Sequence, residues 1–348
     1  MKRLVPAFLF LAMLSASGVA QAQQTSCAQN LRLARATYEQ GRLHEVPTYV
    51  QSCIQNGSNQ EKVEALKLLC LTYIYLEEPA KADEAMLDIL RTDHYFTVDA
   101  ASDPAEFVAL YRTYRTEPIY RFGAKLGANA TMPNVVSYVP ANDGSSQYNT
   151  GISFQGGVTV ELPIRGKLTF APEINLVLRN FKYENTVTYL DVEGESREFK
   201  TTGKERHTWV SVPLVVQYQV MKGRLNPYVS LGVSTDLLLS AENTFLRTKQ
   251  EASSLEEQTV DLKSSRKKIN ISAIVSAGGK LKVTGGFAIA ELRYTHGITK
   301  LNSPENIYSD FDKTFPTGGY VDGVFKLSSL SFTIGYAYNI FNPKKIKR

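Results

Sequence analysis

Along Leu330–Phe341, LSFTIGYAYNIF, Leu330, Phe332, Ile334, Tyr336, Tyr338 and Ile340 alternate with Ser331, Thr333, Gly335, Ala337 and Asn339. A strand puts the two sets on opposite faces, one large and apolar, the other small and mostly polar. The same period of two begins after Pro118, where Tyr120, Phe122, Ala124, Leu126 and Ala128 alternate with Arg121, Gly123, Lys125, Gly127 and Asn129. Further strands are predicted at about 150–163, 167–182, 207–220, 227–240, 268–282, 287–300 and 324–341, eight in all. Before Pro118 the period is helical. Ala65, Leu66, Leu69, Cys70, Tyr73 and Leu76 make one stripe, and Ala82, Met86, Ile89 and Leu90 make another after Pro79, which suits a first helical turn. Asp103-Pro104 reads as an N-cap followed by the first position of a last helix.

The connections between strands sort by length. Arg165-Gly166-Lys167, Lys222 to Asn226, and Thr284-Gly285-Gly286 are short, and they alternate with long segments rich in charge, Ser, Asn and Gly. Short turns at one end and long loops at the other mark an outer-membrane barrel. A soluble β-sandwich, the competing reading, has no reason to sort its loops. Parity also places Arg121, Lys125, Arg179 and Arg293 on the small face with Glu161, Glu173, Asp236 and Glu291. A sandwich core rejects such charges; a barrel lumen accepts them as ion pairs. The large apolar face is therefore expected to meet lipid. Tyr120, Phe122, Tyr218, Tyr228, Tyr338 and Phe341 near the short turns, and Phe181, Tyr183, Trp209 and Phe325 near the long loops, are expected to form two interfacial girdles.

FGAKLGANAT, GGVTVELPI–RGK–LTFAPEINLVLR, WVSVPLVVQYQV…NPYVSLGV and AELRYTHGITKLN, spread over about 120–341, carry a family resemblance. This region resembles the eight-stranded outer-membrane β-barrels of the PorT-like, OmpX/OmpA-like group, common in Bacteroidota. The resemblance implies an antiparallel up-and-down barrel. Some members assist a secretion system, and others have no known task. The helical segment before the barrel is an addition to that family's minimal pattern.

Within the helical segment Ala34, Gly41, Leu43, Val46, Val50 and Cys53 fall in register with Leu69, Cys70, Tyr73, Ala82, Met86 and Ile89, and Asp93-His94 follows. These spacings resemble tetratricopeptide repeats, which are antiparallel helix pairs. In such a hairpin Cys27 begins the first helix and Cys53 ends the second, which implies a Cys27–Cys53 disulfide. Cys70, on the apolar stripe, is expected to be a buried free thiol.

Export is read from the first residues. Lys2 and Arg3, the apolar run Leu4–Leu14 and Ala20-Gln21-Ala22 form a signal peptide over 1–22. The expected organisation is a periplasmic helical domain over 23–117, an outer-membrane barrel over 118–343 and a basic periplasmic tail over 344–348. No apolar run is long enough for a transmembrane helix. The net charge of +5 is spread along the chain, unlike a nucleic-acid footprint.

Candidate chemistry is sparse. Eight strands leave an interior that side chains fill, so solute transport is not expected. Lys263, Arg266, Lys267 and Lys268 are candidate contacts for lipid A phosphates. His207 and His296, with Ser328 near His296, are the weak candidates for a lipid-modifying site, without G-x-S-x-G or H-E-x-x-H. Asp310 and Asp312 are a weak calcium candidate. No catalytic, cofactor or metal residue is assigned, and no small-molecule substrate. The expected function is that of a non-enzymatic outer-membrane scaffold that meets membrane lipids and binds a periplasmic or outer-membrane protein, as a secretion or envelope-assembly accessory. The alternative is an adhesin-like barrel working through its loops.

Overall fold

The structure is a computed structural model that describes residues 17–137, 147–190, 193–221, 223–249, 257–302 and 323–346. The chain divides into two units, one of residues 1–118 with 341–348 and one of 119–340.

The first unit holds helices α1 (Ser17–Glu39), α2 (Val46–Asn56), α3 (Asn59–Tyr75), α4 (Pro79–Thr92) and α5 (Ala105–Tyr111). Helix α1 thus runs through the expected cleavage site; residues 1–16 lie outside the described ones. Ser58 and Glu61 start α3 with a capping box: the Ser58 N–H donates to Glu61 Oε2 at 2.9 Å, and the Glu61 N–H to Ser58 Oγ. Asp103 does not cap α5 as expected. Its carboxylate instead accepts from Lys67 Nζ at 2.6 Å and from the Asp99 N–H at 2.9 Å.

Two apolar clusters hold the helices. Ala34, Val46, Val50, Cys53 and Ala65 join α1, α2 and α3. Cys70, Met86, Ile89 and Phe107 join α3, α4 and α5. The end of the chain completes this unit. Tyr114 and Lys345 form an antiparallel bridge, the Ile346 N–H donates to Thr113 O at 2.8 Å, and Lys345 Nζ binds both carboxylate oxygens of Asp83. Within the basic tail, Lys345 thus has a carboxylate partner and its backbone an edge to pair with. Phe341 stacks on His94 at 5.1 Å instead of serving as a girdle residue.

The second unit is a closed antiparallel ring of β1 (Tyr120–Ser137), β2 (Gln147–Arg165), β3 (Leu168–Leu190), β4 (Ser196–Gln219), β5 (Leu225–Lys249), β7 (Ile269–Val283), β8 (Gly286–Gly297) and β9 (Val324–Ile340). β9 pairs with β1, and β4 with β5, so each of the eight has two neighbours. The short β6 (Gln258–Asp261) pairs with β5. Gly166 and Gly285 take φ of 62° and 83° in two of the short turns, where a side chain would be strained.

The faces divide as the alternation requires. Leu330, Phe332, Ile334, Tyr336 and Tyr338 lie outward and exposed, while Ser331, Thr333, Ala337 and Asn339 are buried inside. Strands β3, β4 and β5 are longer than expected, at 23, 24 and 25 residues. The expected loop after residue 182 is largely hairpin, paired from Leu168↔Tyr218 out to Leu190↔Ser196. About 9–11 residues suffice to cross a membrane, so these strands continue well past the apolar band.

Candidate functional site

The ring's interior is built from inward positions of all eight long strands. Arg121 Nη1 donates to Glu161 at 3.2 Å, and Lys280 Nζ pairs with the same carboxylate at 2.7 Å. Lys125 pairs with Glu173, and Arg293 donates to both oxygens of Glu173 at 2.9 and 2.8 Å. Arg293 Nε also reaches Glu291 at 2.7 Å, and the Tyr228 hydroxyl donates to Glu291 at 2.6 Å. Further along, Arg179 Nη2 donates to Asp236 at 3.0 Å, and Ser211 Oγ donates to the other Asp236 oxygen at 2.6 Å. The eight residues that parity puts inside are thus joined in ion pairs. Lys280 and Tyr228 belong with them. Lys280 shares parity with Ser272 and Ser276, which was its available signal.

Toward the long-loop end the filling turns apolar. Phe181, Trp209, Leu238, Leu262, Phe325 and Leu327 are buried together. Phe181, Tyr183, Trp209 and Phe325 therefore point inward and form no outer girdle. Tyr228 likewise points inward. Trp209 shares parity with inward Ser211, and that parity outweighs the preference of aromatics for an interface. Tyr120, Phe122, Tyr218 and Tyr338 do face outward.

Among the described residues, two voids between these interior side chains measure about 20 Å³ each, close to the room one water needs. The arrangement closes the lumen with paired charge below and packed aromatics above.

Arg266 is not a free cation for lipid A. It is buried, bound through two nitrogens to Glu205, and lies over the Phe325 ring at 5.5 Å. A guanidinium matches a carboxylate's two oxygens, so Glu205 of β4, beyond β5 in the sheet, captures it. Lys263, Lys267 and Lys268 are exposed. His207 is buried, donating Nε2 to Glu205 Oε1 at 2.6 Å. His296 faces outward, with Nδ1 3.3 Å from Ser328 Oγ and 3.5 Å from the Tyr294 hydroxyl. Ser328 is buried and accepts from Asn134 Nδ2 at 2.6 Å. Among the described residues no three His, Cys, Asp or Glu side chains gather to hold a metal ion. Asp310 and Asp312 lie outside the described residues.

In the helical unit Cys27 and Cys53 are joined by a disulfide, and Cys70 is a buried free thiol. Burial, with the Asp83 carboxylate adding to it, pushes the Cys70 thiol up to about 12. The same two causes raise the Tyr114 phenol. Both groups are thus held neutral, which suits packing and not nucleophilic chemistry.

A family model described as "Outer membrane protein beta-barrel domain" matches residues 118–303, more than half of the chain. No curated protein matches the sequence. Among solved structures, the chain is similar to the outer membrane protein OprG from Pseudomonas aeruginosa, at 14% identity and a TM-score of 0.36, over 65% of this chain and 98% of that one. It is similar to the outer membrane protein AlkL at 12% identity and a TM-score of 0.33, over 71% and 98% of the two chains. For Neisserial surface protein A the values are 15%, 0.27, 63% and 97%.

Proposed function

Since the chain belongs to the outer membrane protein beta-barrel domain family and resides in the outer membrane, we propose that its barrel is an anchor and its helical unit the working part. On this reading the protein is a non-enzymatic scaffold. It is exported by the signal peptide over 1–22, and its tetratricopeptide-like helices hold a protein partner in the periplasm. A role as a secretion or envelope-assembly accessory follows from the resemblance to the PorT-like group. The observation that carries the reading is the filled lumen. Glu161, Glu173 and Glu291 are each bound to at least one cation inside the ring, and this filling with paired charge supports an anchor over a solute channel. The helical unit, by contrast, has its own two cores and leaves Leu33, Tyr75 and Tyr95 exposed. Large exposed side chains of this kind are the ones interfaces use.

The test is photo-crosslinking in intact cells, with the crosslinking residue placed at Tyr75 or at Arg197 in the β3–β4 hairpin. A discrete protein adduct from Tyr75 is the expected result. Adducts from Arg197 alone would overturn it in favour of an adhesin-like barrel, the reading favoured by the length of β3, β4 and β5. Discrete conductance steps from the purified protein in a planar bilayer would overturn both.

A further inference from the structure

The outward face of β3 and β4 ends its apolar run in a group of cations. The two strands keep one register, from Leu168↔Tyr218 to Leu190↔Ser196, so side-chain parity carries from the apolar band into their extension. On that face Leu176 stands opposite Val210 and Leu178 opposite Thr208, and the next two rungs are Asn180↔Arg206 and Lys182↔Lys204. Lys182 and Arg206 are exposed, whereas Phe181, Tyr183, Glu205 and His207 beside them are buried inside.

Two lysines directly opposite one another repel, and nothing in their row relieves them. Asn149 of β2 stands beside Lys182, and Thr244 of β5 beside Lys204, so this row of four strands carries no carboxylate. One rung further out, Glu184 pairs with Lys200 at 2.8 Å. One rung lower, Glu242 stands opposite Arg206. Among the described residues neither Lys182, Lys204 nor Arg206 has an ion-pair partner.

The height of these cations fits one source of anions. Leu178 closes the exposed apolar run of Ile174, Leu176 and Leu178, which places it at the hydrocarbon edge. Arg206 is one rung and the lysines two rungs beyond it. At about 3.3 Å per residue and a tilt of about 40°, these rungs lie about 5 and about 10 Å further along the barrel axis. The head-group layer is about 5–8 Å deep on each side of the hydrocarbon. Arg206 falls within it, and the lysine stems reach back into it from just above.

We propose that Lys182, Lys204 and Arg206 bind the phosphate of a lipid in the leaflet at the long-loop end, with its acyl chains on Leu176, Leu178 and Val210. A phosphate supplies the charge that the row lacks and accepts from several donors at once. A lipid is favoured over a soluble anion because the cations continue the face that meets hydrocarbon. The inference does not depend on what the helical unit binds.

The full chain in neutral micelles is titrated with dioleoyl phosphatidic acid, and bound lipid is counted by native mass spectrometry. One saturable lipid is expected, held at least about ten-fold more tightly than dioleoyl phosphatidylcholine and not displaced by inorganic phosphate. Lys182→Gln and Lys204→Gln should each weaken it about five-fold, and together at least about ten-fold. Both change only outward side chains and remove an opposed like charge, so the variants should fold. Lys263→Gln, the same change of charge in the segment before β7, should leave the affinity as it is. Equal affinity for phosphatidylcholine, displacement by inorganic phosphate, unchanged binding in the double lysine variant, or an equal loss in Lys263→Gln overturns the proposal.

Discussion

Arg266 donates to both oxygens of Glu205, Nε to Oε1 at 2.7 Å and Nη2 to Oε2 at 2.8 Å, with both side chains shut off from solvent. The two residues are 61 apart in sequence and tie the segment before β7 to β4. Glu205→Gln leaves the guanidinium buried without its counter-charge, and such a loss costs about 3–5 kcal/mol. A lower midpoint in denaturant, followed by Trp209 fluorescence, is the expected outcome. Glu205→Gln combined with Arg266→Met should recover part of that loss. A double variant less stable than the single one would show that Arg266 is held mainly by other contacts.

Ile334 stands in the middle of the outward face, half exposed between Phe332 and Tyr336. Arginine there faces lipid near the midplane, which costs about 2–4 kcal/mol in such barrels. Ile334→Arg should fold into vesicles less stably than Ile334→Ala. Equal stability of the two would show that this face does not meet hydrocarbon.

How much of this was legible in the sequence depends on whether a residue sits in an alternating run. Glu173, Glu291 and Arg293 could be placed inside by parity alone, because a strand allows only two directions. Trp209 was legible by the same rule, yet reading it by residue type and height along the strand put it outside. Arg266 lies between strands, where parity has no meaning, and its partner is far away in sequence. The extension of β3 and β4 beyond residue 182 was hidden for another reason. The outward face of that hairpin is polar, as at Lys182, Glu184, Lys200 and Lys204, and the inward face turns polar at Asn185 and Thr201, so no sustained apolar alternation marks the strand.

Cys27 and Cys53 close a loop with a sequence separation of 26. A loop of that length should contribute roughly 3 kcal/mol to the helical unit through the unfolded state. Cys27→Ser with Cys53→Ser should lower the helical melting transition seen at 222 nm and leave the barrel's own transition in place. Loss of both transitions together would show that the units unfold as one.

Cys70 titrates higher folded than unfolded, since burial pushes it up to about 12 while a free thiol lies near 8.5. Its contribution to stability is fully present below the unfolded value and is lost as pH rises toward the folded one. Helical melting should therefore fall between about pH 9 and pH 11. At pH 8 a maleimide should modify Cys70 only after denaturant is added. Rapid labelling of the native protein would contradict the buried, neutral thiol.

Lys345 and Asp83 are half exposed, so their ion pair is worth under about 1 kcal/mol. Lys345→Ala should barely move the melting point. It should nonetheless speed hydrogen exchange at the Ile346 amide, whose bond to Thr113 O ties the tail down. Unchanged exchange would mean that the backbone bridge holds without the side chain.

The helical unit consists of the beginning of the chain and its last eight residues, 341–348. Synthesis and export deliver a polypeptide from its N-terminus, so the early helices wait for the final segment until every barrel strand has been delivered. Until then the backbone edge at Thr113–Arg115 stays unpaired. A chain truncated before β9 thus leaves that edge open in the unit that was made first, and its pairing with Lys344 and Ile346 reports that every strand of the ring has been delivered.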